Sequence, residues 1–251
     1  MNSIELERLY FQRSKHSQYQ VLSPFVLSEL CLAAVPPSVK RYEAERFDAV
    51  ARHTCFEGKS VLDIGGNTGY FTFESLAAGA ESVVFVEGNG AHTDFVGGCA
   101  KLMGLRDRVK LFSEYYDPGS LGSFAEIGFL LNVLHHNGED YGDAKDSDAC
   151  LLRAENALAL LSDRCERLVF QIGYNWKGSV DYPLFNNGTK TNVIDWLCEA
   201  VKGRWIVQHV LIAVSTSSGG IEYRPVDSDN IERDDRLGEF LNRPLFILDR
   251  C

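Results

Sequence analysis

Hydrophobic positions along the 251-residue chain switch between two spacings, and each switch marks an element. Short apolar runs bounded by Gly, Asp or Asn predict strands at 60–64, 83–87, 109–112, 127–131, 168–172, 205–214 and 244–248. Between them, apolar residues three and four apart predict helices at 70–78, 91–103, 146–161 and 191–201. Three helical stretches come earlier, at 3–12, 24–34 and 38–51, with Pro24 able to open the second and Pro36-Pro37 ending it. This alternation predicts an α/β fold with a doubly wound, mostly parallel seven-stranded sheet. A helical N-terminal extension, 1–57, gives way to the main domain, 58–251, near Phe56-Glu57-Gly58. Residues 215–220 and 227–235 read as polar loops, and no repeat or low-complexity segment is visible.

Composition narrows the class. A chain of this length buries a full core without staples, and 45% hydrophobic with 24% charged residues is ordinary for a globular protein. The seven cysteines, at 31, 55, 99, 150, 165, 198 and 251, are odd in number and lack C-x-x-C spacing, so they read as reduced thiols rather than a zinc site. Met1 to Gln20 is polar and mixed in charge, unlike a signal peptide, and no apolar run approaches the roughly 18 residues of a membrane span. A cytoplasmic location is therefore expected. The net charge of −10 and pI near 5.1 disfavour a nucleic-acid partner, since phosphate binding wants a basic stripe. The densest basic runs are Arg13 to His16 and Lys40 to Arg46, and the second is broken by Glu43 and Glu45.

The chemistry concentrates at Val61 to Tyr70, Val-Leu-Asp-Ile-Gly-Gly-Asn-Thr-Gly-Tyr, an apolar strand entering a glycine-rich turn and then a helix. Gly-x-Gly-x-x-Gly, the dinucleotide spacing, is absent, as is the Lys-Ser or Lys-Thr of a phosphate loop. What stands there, Asp-x-Gly-x-Asn-x-Gly, resembles the Asp-x-Gly-x-Gly-x-Gly loop of class I S-adenosylmethionine-dependent methyltransferases, with Asn67 in place of the middle glycine. The resemblance spans about residues 58–175 and implies S-adenosylmethionine as cofactor, its methionine part wrapped by Asp63, Gly65, Gly66, Asn67, Gly69 and Tyr70.

Further landmarks fall in the family's register. Glu87 ends the second strand 24 residues beyond Asp63, where an acid can accept both ribose hydroxyls; read by itself it is equally a solvated acid before Gly88-Asn89-Gly90. Glu114 and Tyr115 follow the third strand, where the family's adenine loop lies, although an exposed acid in a turn is an equal reading of Glu114. Asn132 and Val133 follow the fourth strand and would line the cofactor, with His135 and His136 at the mouth. Histidine can take a proton near neutral pH, and an attacking hydroxyl must lose one, so either histidine is a candidate base. The alternatives are a structural role for one or both, or a metal pair with Asp140 or Asp143. No metal is expected.

Two segments outside this frame are candidates for acceptor binding. His16 and Tyr19 lie in an N-terminal stretch that family members commonly fold over the cofactor, and a surface linker is the plainer reading. Tyr174, Asn175 and Trp176 begin an aromatic and amide-rich segment reaching Gly188, suited to stacking on a sugar and binding its hydroxyls, or to anchoring a lid. The chain looks distantly similar to methyltransferases that modify sugars of bacterial surface polysaccharides. O-methylation of a small-molecule or saccharide hydroxyl is thus expected. The alternatives are a tRNA-modifying methyltransferase, which the acidic balance disfavours, and a non-catalytic cofactor-binding or partner-binding module.

Overall fold

The computed structural model describes residues 3–12, 16, 19–32, 40–117, 122, 124–185 and 188–251. The Pro36-Pro37 stop, the neighbouring ends of the expected second and third helices, and Lys15, Ser17, Gln18, Asn186 and Asn187 lie outside them.

Helices α1 (Ser3–Tyr10), α2 (Pro24–Leu30) and α3 (Glu43–Ala51) precede β1 (Ser60–Ile64), α4 (Tyr70–Ala77), β2 (Ser82–Val86), α5 (Gly90–Leu102), β3 (Val109–Phe112) and β4 (Ala125–Leu131). Then come α6 (Ser147–Leu161), β5 (Cys165–Gln171), α7 (Lys190–Ala200), β6 (Trp205–Ser215), β7 (Ile221–Pro225), α8 (Gly238–Leu241) and β8 (Leu245–Arg250). The strands form one sheet in the order β3-β2-β1-β4-β5-β8-β6-β7. Among the described residues it has eight strands, which corrects the expected seven. The extra one is β7, antiparallel to β6 from Leu211↔Pro225 to Ser215↔Ile221. Its alternation, Ile221-Glu-Tyr-Arg-Pro, is only five residues long and ends in a proline, which weakens a strand signal.

The helices start where side chains accept the orphan amide groups of the first turn. Asn89 accepts from Ala91, Asp146 from Ala149 and Thr189 from Asn192.

The chain divides into two compact units. One comprises the described parts of Met1–Phe47, Ala51–Tyr116 and Ala125–Phe129. β1 pairs in parallel with β2, and β2 with β3. Its core is aromatic: Phe56 stacks on Phe47 at 5.3 Å and on Phe129 at 6.1 Å, and Phe71 meets Phe129 at 5.1 Å. Tyr10 holds α1 against Phe95 of α5, with ring centroids 5.8 Å apart.

The other unit comprises Asp48–Val50, the described parts of Asp117–Phe124, and Leu130–Cys251. Here β8 lies antiparallel to both β5 and β6. Leu245, Phe246, Ile247 and Leu248 are all fully buried, as a strand covered on both faces must be. Arg167 and Asp249 close the β5–β8 pair at one end with hydrogen bonds of 2.7 and 2.9 Å.

Candidate active site

In the first unit the turn after β1 is shaped by its backbone. Gly65, Asn67 and Gly69 have φ of 67°, 51° and 80°, a left-handed region that glycine enters freely and asparagine more readily than most residues. The Asn67 conformation therefore costs little where the family loop has glycine. Gly65 donates to the Val86 carbonyl at 2.8 Å, joining the turn to the end of β2. Gly66 is required by closeness: a Cβ there would sit 2.7 Å from Cδ2 of Phe85 and 2.8 Å from Oδ2 of Asp63.

Asp63 lies beneath this turn, 2% exposed, and accepts from the Thr72 hydroxyl at 2.7 Å. Burial pushes its carboxyl up to about 6, with a smaller contribution from the Glu87 charge and opposed by the Thr72 hydrogen bonds. Glu87 accepts from the Asn67 amide through Oε2 and from the Asn89 amide through Oε1, each at 2.8 Å. Tyr115 is half exposed, and its ring rests on Gly88: a Cβ on that glycine would fall 2.7 Å from Cγ of the ring. Glu114 is exposed.

The N-terminal segment reaches the same turn. Asn67 donates through Nδ2 to the His16 carbonyl at 3.3 Å. Gln20, 7% exposed, accepts from the Tyr70 amide at 3.0 Å and from the Thr68 hydroxyl at 3.3 Å. Gly69 has no side chain to cap α4, and Gln20 takes over that role. His16 packs edge-on to Tyr19 at 5.8 Å, and Arg41 lies 4.4 Å over the Tyr19 ring. Gln20 closes the N-terminal stretch that the sequence offers as a cover for the cofactor, but its partner in the turn is not legible there because it sits 50 positions away. His92 carries no signal in the sequence; its buried ring lies 3.9 Å from Glu87, and its pKa is pushed down to about 4 by burial and, less, by His16.

In the second unit the two histidines after β4 part company. His135 is 2% exposed, and its Nδ1 accepts from the Gly173 amide at 3.3 Å. Its ring rests on Gly173, where a Cβ would come within 2.9 Å of Nε2. His136 is half-buried, with Nδ1 2.8 Å from Glu139 Oε2 and 3.7 Å from Asp140 Oδ2. Glu139 was legible as His-x-x-Glu, three residues on, yet the sequence reading weighed only Asp140 and Asp143. Asp143 is exposed and paired twice with Arg153, at 2.9 and 3.0 Å.

Asn132, with φ of 62°, belongs to a polar strut rather than standing alone. It donates to Gln171 at 2.9 Å and accepts from Arg243 at 2.8 Å, while Arg243 forks onto Glu239. Glu239 in turn accepts from the Tyr174 amide at 3.1 Å. Val133 accepts through its carbonyl from the Tyr141 hydroxyl at 3.3 Å. The Tyr174 hydroxyl donates to the Asn242 carbonyl at 2.7 Å, and burial raises its pKa. Trp176 is 6% exposed and donates to the Asn137 carbonyl at 2.6 Å, fastening the histidine loop; Tyr182 and Lys177 cover its ring. Asn175 bridges to Pro183. Tyr174 and Trp176 are thus anchors, and the half-exposed Tyr182 is the aromatic ring of this segment that faces solvent.

No protein-family model matches the chain, and no curated protein does. Solved structures do. Magnesium protoporphyrin IX methyltransferase ChlM from Synechocystis PCC 6803, with bound SAM, aligns with 100% of this chain and 98% of its own at 12% identity and TM-score 0.55. The 16S rRNA methyltransferase RmtF, in complex with S-adenosyl-L-homocysteine, aligns with 84% of this chain and 64% of its own at 13% identity and TM-score 0.51. The bifunctional kinase-methyltransferase WbdD aligns with 82% of this chain and 38% of its own at 13% identity and TM-score 0.50. Among the described residues no helix is long and apolar enough to cross a membrane. At these identities the likeness establishes the architecture: the chain has the α/β fold of S-adenosylmethionine-dependent methyltransferases.

Proposed function

We propose that the protein is an S-adenosylmethionine-dependent methyltransferase acting on a hydroxyl of a small or saccharide acceptor, with His136 as general base. The observation that carries the reading is the pair of His136 Nδ1 and Glu139 Oε2 at 2.8 Å. A carboxylate there holds the proton on Nδ1, orients the ring and leaves Nε2 as the acceptor, the arrangement that activates weak nucleophiles in many enzymes. His135 has its Nδ1 engaged by Gly173 and is buried, so it supports the loop and its neighbour's ring, 4.3 Å away.

Gly65, Gly69 and Asn67 offer a turn open to close backbone approach, Glu87 offers a carboxylate for the ribose diol, and Tyr115 and Gly88 offer a flat surface for the base. These residues fit the cofactor that the fold implies, which when bound supplies an electrophilic methyl on sulfur. Within the chain, His136 Nε2 takes the proton of the acceptor hydroxyl and Glu139 stabilises the resulting imidazolium. Tyr182 and Asn175 are the residues we assign to a saccharide. The net charge of −10 favours such an acceptor over RNA, in the cytoplasm.

The test is methyl incorporation from labelled cofactor across nucleotide sugars, glycan ends, small phenols and alcohols, and transfer and ribosomal RNA. With the acceptor found, His136→Gln should lower kcat by roughly 10² to 10⁴ and leave cofactor affinity unchanged. Full turnover in that variant would move the base elsewhere. Stoichiometric cofactor binding with no turnover on any acceptor would favour a non-catalytic module.

A further inference from the structure

We infer that His136, Glu139 and Asp140 form a binding site for a transition-metal dication such as Zn²⁺, and that filling it shuts off the base. The inhibitory consequence rests on the assignment of His136 above; the binding does not.

The three residues offer one imidazole nitrogen and two carboxylates whose donor atoms all lie within 4.8 Å of one another. Donors on a tetrahedral zinc with bonds of about 2.0–2.1 Å are separated by roughly 3.4 Å. The two measured separations from Nδ1, 2.8 Å to Glu139 and 3.7 Å to Asp140, bracket that spacing. Glu139 is exposed and can swing outward, and the other two are half-buried. The set is more than an acidic cluster, because the neutral nitrogen gives it the borderline softness that zinc, nickel and copper prefer over magnesium or calcium. A loop fastened by the Trp176 hydrogen bond at 2.6 Å and by Asn137 accepting from the Ala144 amide at 3.0 Å holds the donors together. Three protein ligands leave a fourth position for water.

The metal and the base use opposite ends of one ring. In the resting state the proton sits on Nδ1, shared with Glu139, and Nε2 is the accepting end of the ring. When the Nδ1 lone pair forms a bond to Zn²⁺, the proton that leaves Nδ1 is carried on Nε2 of the neutral ring. Nε2 then donates and cannot accept. Glu139 and Asp140 turn from orienting the ring to neutralising the dication, and no oxidant or further reactant is needed.

The 251-residue protein would be titrated with ZnCl₂ against a chromophoric chelator, beside His136→Gln, Glu139→Ala, Asp140→Ala and, as control, Asp143→Ala. The exposed thiols Cys31, Cys55, Cys198 and Cys251 contribute a background common to all five proteins. Wild type should hold one equivalent that the three cluster variants weaken by at least about 10-fold, the lower end of what even an outer-shell partner contributes. Asp143→Ala should match wild type. Nitrogen NMR of the imidazoles should show the His136 ring changing from the Nδ1–H to the Nε2–H form as zinc is added, even if a cluster variant fails to fold. Equal zinc affinity in wild type and His136→Gln, or a His136 ring unmoved by zinc, overturns the inference. Absence of zinc binding says nothing against the assignment of His136 as base, whose own failure would appear as full turnover in His136→Gln.

Discussion

Asp63 offers a quantitative test of how the glycine turn is supported. Its carboxyl is buried beneath Gly66 and raised from 3.8 to about 6, chiefly by burial. The folded protein therefore keeps a proton that the unfolded chain sheds near pH 4. The stabilisation linked to that proton is complete below about pH 4 and is lost as pH rises through about 6. Two units at 1.36 kcal/mol each amount to about 3 kcal/mol of buried charge carried at neutral pH. Asp63→Asn keeps an oxygen for the Thr72 hydroxyl and removes the charge. Its differences in packing and hydrogen bonding do not vary with pH, and other titrating groups cancel between the two proteins. Denaturant unfolding of both from pH 4 to pH 7.5 should show the variant gaining about 3 kcal/mol relative to wild type, with the gain centred between pH 4 and pH 6. A difference that stays flat within about 0.5 kcal/mol, near the size below which distant effects simply add, would refute the reasoning. Because the Glu87 charge adds to the rise, Glu87→Gln should move the transition to lower pH.

Three other substitutions probe the same unit. Glu87→Ala should weaken S-adenosylmethionine binding in calorimetry by about 1.5–3 kcal/mol, the worth of hydrogen bonds to a charged acceptor, and unchanged affinity would end the ribose assignment. Gly66→Ala should cost about 1–3 kcal/mol in thermal unfolding, since its methyl group meets Phe85 and Asp63 in a packed site. Gln20→Ala should cost about 1–2 kcal/mol by leaving the Tyr70 amide without its acceptor, and a melting temperature equal to wild type would show that the contact contributes nothing.

Much of this could be seen in the chain before folding, for reasons that differ by element. β1, β2 and β4 are short apolar runs with a glycine, an acid or an amide after them, so periodicity and punctuation agree. β8 was legible because Leu245 to Leu248 are apolar without alternation, the pattern of a strand with no polar face. β7 escaped because its weak alternation gains its meaning only from β6. In the site, Asp63 and Glu87 stood out because local sequence puts each at a strand end. Glu139 is missed although its spacing from His136 is local; of the two acids the sequence sets against the histidines, Asp140 lies 3.7 Å from His136 and Asp143 belongs with Arg153. The Asn132–Gln171–Arg243–Glu239 strut could not be read at all: Arg243 and Asn132 are 111 positions apart, and only tertiary structure pairs them.

The added strand has a consequence for the protein's behaviour in a crowded solution. β6 runs eleven residues, and without β7 its stretch from Leu211 to Ser215 would offer a ladder of unpaired amide and carbonyl groups to any passing chain. β7 occupies that ladder and is itself a poor template, being five residues long, carrying the charged Glu222–Arg224 pair at 2.9 Å and ending in Pro225, which has no amide hydrogen to give. Removing 216–226 should therefore show itself first as concentration-dependent association, in light scattering, before any loss of cofactor affinity.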